Sequence, residues 1–249
     1  MKLTKLALAG AVSFSTVLAA GAPTFAAEDG GTLNSKAFIK FEKNTEIVNP
    51  VSPLDPSVEV ETKDPKDPKD PNDPHEPGTQ GPLSIDYVSN FQFEKHKASG
   101  NNEIYYASLD SVTKKDTTET MKVPNYVQVT DNRGTNAGWK LSVTQNDQFK
   151  TAEGRDLTGA ALTLKNGTLH SASGSEAPKA AQDITLTPGQ ASDVVTAQEE
   201  QGMGTWVNTF GKSVEDAEKS VELSVPGKTK KEQAEYTTSL TWELKDAPM

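Results

Sequence analysis

Two of the three tryptophans in this 249-residue chain lie in the same tripeptide, Trp-x-Leu. The first copy spans residues 139–141 and the second spans residues 242–244. An indole ring has a flat apolar face that stacks on a sugar ring or on a partner's side chains, and the same ring also fills protein cores. The repeated tripeptide therefore offers binding chemistry. The candidate contact residues are Trp139, Leu141, Trp242 and Leu244.

Residue types that commonly perform catalysis show no comparable organisation. The three histidines, His75, His96 and His170, are far apart and have neither a partnered nucleophile nor metal-ligand spacing. Asp and Glu total 35, but no spacing singles out the carboxylate pair that glycan cleavage needs. Cysteine is absent, which excludes thiol and zinc-thiolate chemistry. The sequence predicts a chain that is not an enzyme, with no cofactor and no metal site, although calcium binding by acidic loops stays open.

Short stretches of alternating apolar and polar residues recur along the chain and predict β-strands. They cover residues 83–88, 90–95, 103–109, 126–131, 139–144, 161–165, 168–172, 184–187, 221–225 and 237–244. Asn166-Gly167 predicts a type I′ hairpin between two of them, and residues 213–219 predict a short turn of helix. Many short strands between Gly, Pro, Asn and Asp predict an all-β fold, either an antiparallel β-sandwich or a Greek-key barrel-like domain.

The strand periodicity also orients the two tripeptides. Side chains two residues apart share one face of a strand, so the Trp and Leu of each copy point the same way. The middle residue, Lys140 or Glu243, then points outward. If the two strands lie side by side, both indoles join one cluster and Lys140 faces Glu243 as a favourable pair. Two interpretations stay open: the indoles build the sheet core, or one or both stay partly exposed and contact a ligand.

Residues 50–82 differ from the rest in composition. Proline recurs at every third position of KDPKDPKDPNDP (63–74), a spacing that suits polyproline II and a composition that cannot bury a core. Residues 50–82 are therefore predicted to be a long Pro/Asp-rich excursion, disordered or polyproline II, within one domain. Residues 37–43 precede it, alternate like a strand, and are predicted to pair with the main sheet.

The amino terminus has the pattern of a secretory signal peptide. Two lysines precede an apolar run over residues 6–20, and small residues before position 28 offer a cleavage site. Because this run is shorter than the roughly 20 residues that span a bilayer, removal of residues 1–27 and no membrane insertion are predicted. Removing them takes away two lysines and no acid, so the formal charge changes from −10 to −12. That charge argues against nucleic acid as a partner and against capture of anionic polymers by bulk charge.

Four segments carry a resemblance to a known family. They are VTDNRGTNAGWKLSVTQ (129–145), GMGTW (202–206), LSVPGKTKK (223–231) and YTTSLTWELKDAP (236–248). They are similar to segments of WxL-domain proteins, which are exported surface proteins of low-GC Gram-positive bacteria. The likeness covers essentially the whole mature chain, so residues 28–249 resemble a single WxL domain.

The resemblance implies a function and a location. It implies a secreted protein held at the cell wall or cell surface non-covalently, by binding peptidoglycan without catalysis, beside other surface proteins of the same gene cluster. The C-terminal LKDAPM has no LPxTG-type motif, so covalent wall attachment is not expected. Two other functions stay open: a docking subunit of a multi-protein cell-surface complex, and an adhesin for host ligands.

Overall fold

A computed structural model describes residues 32–62 and 76–246 of the chain. The predicted signal peptide and the proline repeat 63–74 lie outside these residues, so both stay predictions. The chain divides into two units, residues 1–40 and 41–249. The described part of the first unit, residues 32–40, has no helix or strand and is exposed. Every described helix and strand belongs to the second unit.

The second unit is built from antiparallel strands in four sheets of four. Its elements in chain order are β1 (Val51–Ser52), β2 (Asp55–Thr62), β3 (Leu83–Val88), β4 (Glu103–Tyr106), β5 (Asp110–Lys114), β6 (Thr120–Val123), β7 (Tyr126–Asp131), β8 (Trp139–Gln145), β9 (Ala161–Lys165), β10 (Gly167–His170), β11 (Lys179–Ala180), β12 (Asp183–Thr185), β13 (Ala191–Ala197), β14 (Gly204–Phe210), α1 (Val214–Ala217), β15 (Val221–Val225) and β16 (Leu240–Asp246). This architecture confirms the predicted all-β antiparallel class. The predicted helical turn is confirmed by α1, whose first turn is capped by the Ser213 hydroxyl.

The sheets have a simple order. The first is β1-β2-β5-β6, the second β10-β14-β7-β3, the third β11-β13-β8-β16 and the fourth β12-β9-β15-β4. The main hydrophobic cluster draws its side chains from the second, third and fourth sheets. A smaller cluster joins the first sheet to the opposite face of the second. The second sheet is therefore covered on both faces.

Strand β7 shows the consequence of that double cover, because all six of its residues are buried. Val127 and Val129 belong to the main cluster, whereas Tyr126 belongs to the smaller one together with Val60 and Val112. The alternating sequence of β7 predicts a solvated polar face. That face is instead covered by the first sheet.

The first sheet is fastened to β7 through one polar side chain. Gln128 donates from Nε2 to the Asn49 carbonyl at 3.1 Å and to Asp86 Oδ2 at 2.9 Å, and its Oε1 accepts from the Val51 amide at 2.8 Å. Residues 51–62 are thus paired strands, and Val60 is 2% exposed. The prediction of one excursion over residues 50–82 is wrong for residues 51–62, because their apolar side chains bury against the second sheet.

Two other local predictions are wrong. Residues 37–43 form no strand, and Phe38 and Phe41 are 86% and 84% exposed. Residues 90–95 also form no strand, although Phe91 and Phe93 pack edge-on against Phe210 and Phe149. In both segments alternation alone did not produce a strand, since a strand also needs a partner's backbone groups.

The hairpin predicted at Asn166-Gly167 is wrong as well. Strand β9 pairs with β12 and β15, whereas β10 pairs with β14, so the chain changes sheet at this point. A type I′ turn needs positive φ at both central residues, and only Asn166 has it, at 56°. Gly167 serves a different purpose: a Cβ there would lie 2.1 Å from the Ala181 carbonyl oxygen. The glycine permits close backbone approach between β10 and the connection from β11 to β12.

Candidate functional site

The two Trp-x-Leu copies lie on neighbouring strands. Strands β8 and β16 pair antiparallel, with Trp242 opposite Val143 and Leu244 opposite Leu141. The side chains of β16 alternate between half-buried and exposed, with Trp242 and Leu244 on the half-buried face. The predicted orientation and side-by-side placement are therefore confirmed, and both indoles contact the main hydrophobic cluster.

Trp139 and Leu141 are interior residues. Trp139 is 1% exposed and Leu141 is 0% exposed. The indole Nε1 of Trp139 donates to the Gly202 carbonyl at 3.0 Å, so its one polar group is satisfied inside the protein. Gly202 has a φ of 74°, and a Cβ there would lie 2.6 Å from that Nε1. Only glycine fits both the backbone conformation and the space left by the indole.

The turn that contains Gly202 holds a second indole. Trp206 is 6% exposed, and its Nε1 donates to the Met203 carbonyl at 3.2 Å. Residues 202–206 therefore present two successive carbonyl groups to two buried indoles. This structural role of GMGTW (202–206) was not predicted from the sequence, although two glycines close before a tryptophan were the available signal.

Trp242 and Leu244 keep solvent-accessible surface. Trp242 is half-buried and packs against Phe210, with ring centroids 6.5 Å apart. We define the β16 stripe as the half-buried apolar residues on this face: Tyr236, Leu240, Trp242 and Leu244. Among the described residues β16 has a strand neighbour on one side only, so it forms an edge of the third sheet. Of the four candidate contact residues, these two are the ones a ligand can reach in the folded chain.

The predicted pair between Lys140 and Glu243 is wrong. The register places Lys140 opposite Lys245, and Glu243 opposite Ser142. Lys140 Nζ instead contacts Asp193 Oδ2 of β13 at 3.0 Å, and Lys245 Nζ contacts Glu243 Oε2 at 2.9 Å on its own strand. The register follows the apolar partners on the inner face, since a slip of one residue would turn all of them outward.

An arginine fixes the far end of the paired strands. Arg133 forms a bidentate pair with Asp131, with Nε to Oδ1 at 2.9 Å and Nη2 to Oδ2 at 2.8 Å. It also donates to the Gly138 carbonyl at 2.7 Å and to Asp246 at the end of β16. This pairing with Asp131, opposed only in part by burial, raises the pKa of the Arg133 guanidinium. The cation therefore joins β7, the turn before β8, and β16.

The remaining candidate chemistry is dispersed. His96 is exposed and contacts the Phe93 carbonyl, whereas burial lowers the pKa of His170. His75 lies outside the described residues. Over residues 32–62 and 76–246 no three His, Asp or Glu side chains are grouped as metal ligands. No helix in the same ranges is long and apolar enough to cross a membrane.

Fold and site together define an all-β binding module, with a buried Trp-x-Leu strand beside an edge strand that carries a half-exposed copy. The chain belongs to the WxL family: a family model described as "WxL domain surface cell wall-binding" matches residues 28–248. The resemblance seen in the sequence is thereby confirmed, and the protein is placed at the cell wall and cell surface. A search of curated proteins and a search of solved structures each gave no significant match.

Proposed function

We propose that this protein is held on the Gram-positive cell surface by non-covalent binding to peptidoglycan, and that it performs no catalysis. The observation that carries the proposal is the match of residues 28–248 to a wall-binding family. The family description names only the cell wall as the binding partner, and peptidoglycan is the wall component that we propose. In this proposal residues 1–27 are removed as a signal peptide, and residues 28–249 form one wall-binding domain.

The β16 stripe is the proposed contact surface. Its support is physical: Trp242 is half-buried on an edge strand and keeps surface on which a sugar ring can stack. Trp139 and Leu141 act indirectly in this proposal, because they fill the core beneath the paired strand. The four residues of the β16 stripe carry no charge, so the stripe suits a ligand that is bound by stacking and hydrogen bonds.

A second candidate function is docking of another surface protein, such as one encoded in the same gene cluster. One observation favours it. Strand β16 has a paired neighbour on one side only in the described structure. An extended segment of a partner can add to such an edge through backbone hydrogen bonds. Peptidoglycan and a partner segment would use the same strand, so they are expected to compete.

Cosedimentation tests the proposal. The mature chain, residues 28–249, is mixed with insoluble sacculi that have been stripped of teichoic acids and proteins. Most of the protein should pellet, and the bound fraction should saturate as protein is added. Protein that stays in the supernatant at every concentration contradicts the proposal. A gel assay with embedded peptidoglycan checks the second part, since a cleared band would contradict the absence of catalysis.

A further inference from the structure

The connection from β8 to β9 and the connection from β15 to β16 enclose an open cleft of about 400 Å³. Its charged lining residues are Arg155, Asp156, Lys228, Lys230 and Glu232, and Tyr236 lies beside them. The four segments that resemble the family include LSVPGKTKK, from which Lys228 and Lys230 come. Neither the paired tryptophans nor the proposed stripe explains why a chain of formal charge −10 gathers lysines here.

The two connections are fastened to each other. Thr229 is 8% exposed, and its hydroxyl donates to the Thr158 carbonyl at 2.7 Å. Lys231 donates from Nζ to the Pro226 carbonyl at 3.0 Å, which closes its own loop. Lys150 and Thr237 exchange two backbone hydrogen bonds of 2.9 Å each. A cleft held this way is preorganised, so a ligand does not have to order the loops.

The cleft holds three cations, Arg155, Lys228 and Lys230, and two carboxylates, Asp156 and Glu232, so its positive charges are only partly compensated. Arg155 pairs with Glu232 at 2.9 Å. Lys228 and Lys230 are exposed, and neither has a carboxylate within 4.0 Å in the part of the chain that the structure describes. Two ammonium groups beside an arginine attract an anion at short range, even on a protein whose net charge repels it at long range.

Tyr236 connects the cleft to the β16 stripe. Its hydroxyl accepts from the Glu232 amide at 2.9 Å, which fixes the ring at the edge of the cleft. The same side chain is half-buried and packs on the main cluster with Trp242. Tyr236 and Trp242 are six positions apart in the sequence, a span of at most about 20 Å at the rise of a strand. A polymer held in the cleft can therefore continue along the stripe.

We propose that this cleft binds an anionic group, a carboxylate or a phosphate, of a cell-wall polymer, with Lys228 and Lys230 as the charged contacts. The proposal rests on the proposed function, because it supplies the charged part of the same wall-binding surface. The carboxylate source is the peptide or muramic acid part of peptidoglycan. The phosphate source is teichoic acid.

The test compares two double variants that carry the same charge change. Lys228→Gln/Lys230→Gln alters the cleft, and Lys212→Gln/Lys219→Gln alters exposed lysines beside α1. Lys219 precedes β15 and Lys228 follows it, so the two sites lie at opposite ends of this five-residue strand, which is about 17 Å long. Both variants and the unmodified mature chain are titrated onto sacculi with teichoic acids and onto sacculi stripped of them. Circular dichroism checks that each variant is folded.

The cleft variant should bind at least tenfold more weakly than the unmodified chain, and the control variant within twofold of it. Equal losses on both kinds of sacculi assign a carboxylate of peptidoglycan, whereas a loss only on sacculi with teichoic acids assigns phosphate. If the cleft variant binds both sacculus preparations as well as the unmodified chain does, the cleft site is overturned and the proposed function still stands. An unmodified chain that binds neither preparation overturns both.

Discussion

Trp139 and Trp242 occupy the same position of one tripeptide and differ in what surrounds them. Trp139 is buried, with its Nε1 donating to the Gly202 carbonyl at 3.0 Å. Trp242 lies on an edge strand and has Phe210 as its aromatic neighbour. The sequence alone left both a core role and a contact role open for each indole. The structure separates the pair into an interior residue and a residue with accessible surface.

Replacing each indole by alanine should show this difference in stability. Trp139→Ala should lower the free energy of unfolding by about 3–5 kcal/mol, the usual cost of emptying a fully buried aromatic site. Trp242→Ala should cost clearly less, because part of its side chain is already in water. Urea denaturation followed by circular dichroism measures both values. Equal costs for the two variants would contradict the assignment of Trp139 to the core.

Gly202→Ala should also destabilise the fold, because φ is 74° and the new Cβ would lie 2.6 Å from the Trp139 Nε1. A loss of about 2 kcal/mol or more in the free energy of unfolding is expected from backbone strain and overpacking together. The matched control is Gly174→Ala, since no heavy atom lies within 4 Å of a Cβ there. The prediction fails if both variants unfold at the same urea concentration.

Asp86 should make stability depend on pH. Burial raises its pKa from the ordinary 3.8, although hydrogen bonds from Ser84, Thr130 and Gln128 oppose the shift. The folded state therefore holds the proton more tightly, so stability falls as pH rises from the unfolded pKa through the folded one. We subtract the free energy of unfolding of Asp86→Asn from that of the unmodified chain. This difference should decrease as pH rises above about 4.

A second aspartate, Asp55, is the control for the direction of this pH dependence. Hydrogen bonds from Ser57 lower the pKa of Asp55, so its stabilising contribution is present above the unfolded pKa and is lost as pH falls. The corresponding difference for Asp55→Asn should therefore change in the opposite direction. Two differences with the same sign would show that burial does not control the titration of Asp86.

At the scale of elements, the first sheet was not predicted, because the proline-rich composition of residues 50–82 indicated an excursion without strands. Strands β1 and β2 lie next to the proline repeat, yet they pair with each other and β2 pairs with β5. They cover the polar face of β7, where Gln128 bonds to Val51 and Asp86. Residues 32–43, in contrast, form no strand and are exposed.

Two truncations distinguish these segments. A chain that starts at Asn44 should unfold within about 0.5 kcal/mol of the mature chain, as expected for removing exposed residues. A chain that starts at Gly81 loses β1, β2 and the buried Val60, and should lose at least the roughly 2 kcal/mol of one buried aliphatic side chain. Denaturation in urea compares the two. Equal stability of all three chains would show that β1 and β2 contribute nothing to stability.

Strands were predictable where apolar and polar residues alternate regularly, which includes β7 although both of its faces are covered. The orientations of β8 and β16 follow from period-two alternation with a clear polar side. Strand β14 was missed, because GTWVNTF is buried at five of seven positions and its polar residues do not alternate regularly. Strand β13 (ASDVVTA) was missed as well, because its two valines are adjacent and do not alternate with polar residues. The role of Gly202 was unpredictable for another reason: it depends on an indole 63 positions earlier in the chain.

At the scale of the whole molecule, the protein is an acidic all-β module of the WxL family. Its proposed binding features lie on one strand pair and the connections of that pair. The chain has a net charge of −10, whereas Lys228 and Lys230, which have no carboxylate within 4.0 Å among the described residues, follow the end of β15. Long-range repulsion and short-range attraction therefore act together near an anionic wall. Salt should weaken the cleft contacts and leave stacking on the β16 stripe nearly unchanged.

The most direct test of this account is a binding isotherm on teichoic-acid-free sacculi for Trp242→Ala and for Trp139→Phe, each shown to be folded by circular dichroism. The account predicts that Trp242→Ala weakens binding at least tenfold, because it removes the accessible indole from the surface. It predicts that Trp139→Phe binds within twofold of the unmodified chain, because its ring lies in the core. A folded Trp242→Ala variant with unchanged affinity, or a folded Trp139→Phe variant that no longer binds, would contradict it.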